Sequence, residues 1–403
     1  MTSTTNDTTR TANDPTSSVK GVIEQAVARW SADLVELSHS LHREPELGCA
    51  EYKSRDKLVG LLERAGFTVE SPVGGLDTAF TAVTGSGDLT IGLCAEYDAL
   101  PEIGHACGHN VNGAASLGAA LALAAVADEL GLRVKVIGTP AEETIGGKAY
   151  LLEAGVFDDV AAAMMVHASG EDVIRGATRA LSMWEVEYTG TPAHAASAPW
   201  RGVNALDAVS IAYHSVGLLR QQLRPDVILS FVVLEGGQAA NVIPSRSRAV
   251  VELRTASTEE LHELQARVRN CLEAGALATG ASLTITPQGR DFEPLHHDEF
   301  MTTAYAHAMA GLGRAPVDRS DRPGGSTDMG NVSAVIPSIH PSIGYDVEGA
   351  AHHTREFAAH GATPSADRAV LDGALGMALV GAALAQSPEQ RQRLHQPLAR
   401  PDS

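Results

Sequence analysis

The stretch "LTIGLCAEYDALPEIGHACGHNVNGAASLGAALALAAVADELG", residues 89–131, decides the fold. It opens as a continuous apolar run, which predicts a buried strand, turns ionisable at Glu96 and Asp98, and breaks at Pro101. A loop rich in Gly and His follows, and residues 111–131 read as a helix. Outward from this unit, residues 20–41 and 52–65 read as helices, the second ending at Gly66 as a helix-stopping glycine would end it. "VKVIGTPAEE" (134–143) is a second strand running into a loop, and "VAAAMMVHA" (160–168) is a third. Strand and helix alternate, so the expected class is α/β: a mixed, mainly parallel sheet flanked by helices.

From about residue 180 the pattern changes to strand 182–190, helix 203–222, strands 227–237 and 247–255, helix 257–279 and strand 282–288. That β-α-β-β-α-β order is the split ferredoxin-like unit and predicts an inserted α+β domain. Alternation resumes near 296, with 333–344 read as a core strand and 366–385 as a final helix. The expected organisation is one domain from 19–179 and 291–388, an insert over 180–290, and disordered tails at 1–18 and 389–403.

Composition narrows the partners. With 49 acidic and 30 basic residues the formal charge is −19, and no cationic run is present to follow phosphates, so nucleic acid is excluded as an expectation. Residues 1–18 lack the apolar segment of a secretory signal, and "LGAALALAAVA" (117–127) is too short to span a bilayer. Cys49, Cys94, Cys107 and Cys271 show no paired spacing, which fits a reducing compartment. A cytoplasmic protein without membrane contact is expected.

Ligands of open α/β sheets bind beyond the carboxyl ends of the strands, and each strand here ends in ionisable residues: Glu96 and Asp98, then Glu142 and Glu143, then His167. Between the first strand and its helix, "GHACGHN" (104–110) places Cys107 and His109 two residues apart, with Gly108 free to bend the chain between them. Cys107, His109, Glu143, His167 and a late histidine in "AAHHTREFA" (350–358) make five candidate donors. Sulfur, imidazole and carboxylate together select zinc or a neighbouring transition ion over magnesium or calcium. Five donors exceed one tetrahedral ion and suit two ions sharing a ligand. If the Glu142–Glu143 pair lies on extended chain, its side chains diverge, so one ligates while the other stays free as a general base.

These motifs, with "LHREPELG", "TPAHAASAPW", "GGQAANVIP", "STDMGNVS" and "HHTREF", resemble the aminoacylase and carboxypeptidase family of dinuclear metallopeptidases over roughly residues 30–385. The resemblance falls in the amidohydrolase subgroup, which holds hippurate hydrolase, p-aminobenzoyl-glutamate hydrolase and β-alanyl-lysine dipeptidase. It implies that Cys107 bridges two divalent transition ions, zinc first and manganese or cobalt next, with His109, Glu143, His167 and His353 completing the sites. It implies Glu142 as the base and makes the insert a lid and dimerisation domain that brings His194 and Asn241 to the substrate. Where other branches carry a ligating His-x-Asp, this sequence has "EYD", so Glu96 is not assigned as a ligand and Asp98 is expected to orient the site. Arg254 at a strand end is left without a role.

The expected function is hydrolysis of the amide bond of a small N-acyl amino acid or dipeptide by metal-activated water, in a homodimer joined through the lid. The apolar "VILSFVVLEGG" asks for a partner along an exposed sheet edge. Two other classes compete: a non-catalytic metal-binding regulatory or scaffold protein on the same fold, and a cysteine hydrolase using Cys107 with His109.

Overall fold

The computed structural model describes residues 15–396. Its central sheet has six strands in the order Thr68–Glu70, Phe80–Thr84, Leu132–Gly138, Leu89–Ala95, Ala162–Met164, Ser338–Ile339. The last three pairings are parallel and the first two antiparallel. The strand Leu89–Ala95 is buried along its whole length because successive side chains enter different cores. Leu93, Val136 and Met164 face one side, packed with helices Pro15–Arg43, His109–Ala124 and Pro364–Gln386. Cys94, Ile137 and Ala163 face the other, against the short helices Gly147–Glu153 and Met329–Ser333. Pro364–Gln386 is apolar and long enough to cross a membrane, but 78% of its apolar window is buried in this core.

The insert has its own four-stranded antiparallel sheet, ordered Ser282–Pro287, Ala180–Thr189, Arg246–Thr255, Ile228–Glu235. Helices Ala205–Leu219 and Thr258–Thr279 cover one face, and burial alternates strictly along Ala180–Thr189. Trp184, Val186, Phe231, Val251, Leu264 and Val268 form a core separate from the larger domain's. This is the expected ferredoxin-like insert.

Four expectations require correction. "VAAAMMVHA" is not one strand: Ala162–Met164 stays in the central sheet, while His167–Ser169 belongs to a second four-stranded sheet. Residues 333–344 divide likewise into Ser338–Ile339 and Ser342–Gly344, and the two broken segments pair with each other in parallel across both sheets. The apolar runs are continuous because both halves are buried, so periodicity could not show the step. The helix expected over 111–131 begins at His109, ends at Ala124 and is followed by a separate turn, Ala127–Leu130. The expected tails are also shorter. Helix Pro15–Arg43 already includes residues 15–18, and Pro388–Leu394 is a helix capped by Ser387, with Leu394 buried and Arg393 paired to Asp298. The remainder of the expected tails, 1–14 and 397–403, lies outside the described residues.

Candidate active site: two donor triads sharing a cysteine

His109 is the first residue of its helix, and the chain enters it through Gly108 at φ 77°. A Cβ there would lie 2.3 Å from that of Ala168, so only glycine fits. His109 is fully buried, and its Nδ1 faces two acceptors, the Asp98 carbonyl at 2.9 Å and Asp98 Oδ1 at 3.0 Å. The ring therefore donates from Nδ1 and presents Nε2 to the site, where it is buried with no hydrogen-bond partner. The other Asp98 oxygen accepts from the Glu143 backbone N–H at 3.0 Å. One carboxylate thus fixes both a candidate ligand ring and the loop that bears the acidic pair.

That loop corrects a further expectation. Glu142 and Glu143 sit on a turn, not on extended chain, following Ala141 at φ 60°. Carboxylate oxygens of both lie within 4.8 Å of one another and of a His109 ring nitrogen, so the expected divergence is absent and the two side chains converge on this turn. Buried Glu51 holds it, accepting from the Ala141 N–H and from Thr78 Oγ1, both at 2.8 Å. Burial, with Asp98 nearby, pushes the Glu51 carboxyl up to about 7.

His167 faces its neighbour's carbonyl through Nδ1, 2.9 Å from Ala168 O, and turns Nε2 to Cys107 Sγ at 3.6 Å. His353 Nε2 lies 3.4 Å from Glu143 Oε1, a carboxylate oxygen left buried without a hydrogen bond. Its neighbour His352 is committed elsewhere, donating to Ala168 O at 2.9 Å and packing against Phe357. Potential ligand atoms lie within 4.8 Å of one another in Cys107–His109–His167 and again in Cys107–Glu143–His353. Cys107 belongs to both sets, so all five sequence-selected donors converge.

Two unsatisfied buried atoms, His109 Nε2 and Glu143 Oε1, within a sulfur, nitrogen and oxygen donor set are what divalent transition ions would satisfy. Burial and then Glu143 push the Cys107 thiol well above its ordinary range, and burial lowers His167 to about 4. Burial would lower His109, but Asp98 and Glu96 outweigh it and raise that ring. Burial would raise Glu143, but the neighbouring imidazoles of His353 and His109 overcome it and hold that carboxyl down to about 2. Glu142 goes the opposite way: burial, then Glu96 and Asp328, raise it well above the carboxylate range. The adjacent carboxyls are thereby shifted in opposite directions.

These groups open into a cleft of about 580 Å³ between the domains, lined also by Leu181, Met183, Arg254 and Phe292. Arg254 reaches it while paired with Glu252 at 2.8 Å and donating to Ser326 Oγ at 3.1 Å. The structure does not bring His194 or Asn241 into this cleft. Both are exposed on the insert, where their segments pair through Ala195 N–H to the Asn241 carbonyl at 3.0 Å.

Sequence reasoning missed the layer beneath. Lys148 is fully buried, its Nζ 2.5 Å from Glu96 Oε1 and 2.6 Å from Asp328 Oδ1. The second Glu96 oxygen accepts from Asn112 at 3.0 Å, so Glu96 is occupied by the protein on both sides. His340, 5.4 Å from His167 between ring centres, also lines the cleft with its Nε2 unpaired. "STDMGNVS" contained Asp328, but nothing in the sequence pointed to a cation 180 residues away.

Known proteins agree with this geometry. Residues 92–371 match the signature of peptidase family M20/M25/M40. The mouse Xaa-Arg dipeptidase is 38% identical over 355 residues, covering 83% of this chain and 80% of the relative. One chain of the Escherichia coli p-aminobenzoyl-glutamate hydrolase is 30% identical over 280 residues, 64% of this protein and 58% of that one. A dinuclear metal-binding M20 peptidase from Bacillus subtilis shares the fold at a TM-score of 0.66 and 21% identity, covering 89% of this chain and 99% of that one. Family and site thus define a metal-dependent amidohydrolase, and its two donor triads are consistent with two divalent ions. The chain belongs to peptidase family M20/M25/M40.

Proposed function

We propose that the protein cleaves the amide bond of small N-acyl amino acids or dipeptides, with Cys107, His109, Glu143, His167 and His353 holding two transition ions and Glu142 as general base. The observation that carries this reading is the pair of donor triads joined at Cys107, with Glu142 buried beside them at the floor of a cleft sized for a small molecule. Relatives named as an Xaa-Arg dipeptidase, a p-aminobenzoyl-glutamate hydrolase and an indole-3-acetyl-aspartic acid hydrolase support the substrate class. Bound ions supply Lewis acidity and lower the pKa of water, and sulfur with imidazole favours zinc, then manganese or cobalt. Glu142 takes the proton of the attacking water and delivers it to the leaving nitrogen. Asp98 keeps His109 and the Glu143 backbone in register throughout.

The insert supports a homodimer as part of this proposal. Its edge strand Ile228–Glu235 leaves Val232, Val233 and Leu234 exposed, which supports a homodimer paired through this edge. His194 and Asn241 stand outside their own chain's cleft, which supports their action on the partner's substrate, with His194 stabilising the oxyanion. Four free cysteines suit the cytoplasm.

The test is a divided pair of variants assayed on acyl-amino acids and β-alanyl dipeptides. Glu142→Gln should retain both ions and lose at least about 100-fold in kcat. Glu143→Gln should lose metal, measured as ions per chain. If both variants keep their metal and their activity, the assignment of the pair is wrong.

A further inference from the structure

A buried ammonium held between two buried carboxylates is a costly arrangement, since apolar residues of similar volume usually serve stability as well. Lys148 is such a group, and its position suggests why it is there. It is the second residue of helix Gly147–Glu153, directly after the turn that carries Glu142 and Glu143. Gly147 brings the helix start so close that a Cβ would meet the Pro140 carbonyl oxygen at 1.9 Å, so the turn is folded back on itself. The Lys148 ammonium bonds Glu96 at the end of the strand Leu89–Ala95 and Asp328 at the start of helix Met329–Ser333. Its backbone N–H bonds the other Asp328 oxygen at 2.8 Å, so main chain and side chain grip the same carboxylate.

Glu142 shares this chamber. Carboxylate oxygens of Glu96, Glu142 and Asp328 lie within 4.8 Å of one another, and Lys148 is the cation among them. Without that cation the three acids repel, and the side chain free to retreat is Glu142, because the other two are bonded to Asn112 or to the Lys148 backbone. We propose that Lys148 is a positioning residue, whose contacts to Glu96 and Asp328 fix the turn and keep the Glu142 carboxylate over the attacking water. The inference rests on Glu142 being the base.

The experiment is a double-variant cycle on the zinc-loaded full chain with an acyl-amino acid substrate. Lys148→Met should keep two ions per chain and a KM within about threefold, while kcat falls by about 30-fold; Lys148→Arg should recover much of that loss. In the Glu142→Gln background the same Lys148→Met change should lower kcat by less than about threefold, since a group acting through Glu142 has nothing left to position. A merely structural lysine would cost the same in both backgrounds, and that result overturns the proposal. So would loss of metal, or an unchanged kcat in Lys148→Met. If Lys148→Met does not fold, Lys148→Met with Asp328→Asn removes one charge of each sign and is put through the same cycle. Full activity in Glu142→Gln refutes the base assignment itself; an inactive Glu142→Gln beside a fully active Lys148→Met overturns only the role given to Lys148.

Discussion

The rim of the central sheet and the outer edge of the insert invert the usual division of inside and outside in opposite ways. At the rim, Glu96, Asp98, Glu142, Lys148 and Asp328 are all buried. On the insert, Val232 is 56% exposed, Leu218 66% and Trp200 77%. Burying charges is costly unless they are paired, so a buried cluster of them points to a functional site, and neighbouring apolar groups left in water point to a contact surface. The first inversion marks the chemistry of one chain, and the second is the apolar edge that the proposed homodimer would cover.

The comparison breaks most sharply at Cys107. As the donor common to both triads, its replacement by alanine should weaken both ions together, whereas His353→Ala should affect one. Metal content per chain measures this, and activity should fall by at least about 1000-fold, as expected when metal-dependent charge stabilisation is removed. Loss of a single ion in Cys107→Ala would end its bridging role.

The insert offers the next largest effect. Val232→Lys changes an exposed position and should leave the thermal midpoint nearly unchanged, yet sedimentation should show monomers, with activity reduced about tenfold or more. Refolding His194→Ala with Glu142→Gln chains should then restore about a quarter of wild-type activity, because half the dimers are mixed and each has one intact composite site. A mixed dimer without recovered activity would place His194 within its own chain's chemistry or outside catalysis.

The smallest effect lies at Glu51, beneath the catalytic turn. Its carboxyl stands at about 7 in the fold against 4.5 in the unfolded chain, so the fold favours the protonated form. Its contribution is full below pH 4.5 and is lost as pH rises through about 7. Glu51→Gln keeps the bond from the Ala141 N–H and reverses the other, its amide donating to Thr78 Oγ1, without the titration. It should flatten the fall in stability between about pH 5 and 8, a change on the order of 3 kcal/mol at most. Parallel stability curves for the two proteins would show that Glu51 ionises freely.

Four of the five donors were legible because each lies within two residues of another informative group: Cys107 near His109, Glu143 beside Glu142, His353 beside His352; His167 was legible only from its place at the end of an apolar run. The strands that carry them were legible from apolar runs, and the insert from its alternating strands. Lys148 was not. In "TIGGKAYLLE" it reads as a surface lysine at a helix start, and its partners lie 52 residues before and 180 after it. Ion pairs leave no periodic trace, so only the fold reveals them. The step between the two sheets at Met165–Val166 was hidden for a related reason: burial on both sides of a break looks the same as burial along one strand.

The way the insert joins its host has a consequence of its own. Its first and last strands, Ala180–Thr189 and Ser282–Pro287, are neighbours in the sheet, and Leu181 at the start of the first exchanges two backbone hydrogen bonds of 3.0 and 2.8 Å with Phe292, beyond the end of the last. Entry and exit are therefore side by side, closed like a zipper at the junction. A guest attached by such a seam can be lengthened, shortened or excised without moving the host's ends apart, since the host chain is already nearly continuous beneath it. The seam makes the insert a separable unit, so its cleft-facing surface can change while the donor triads on the host stay where they are.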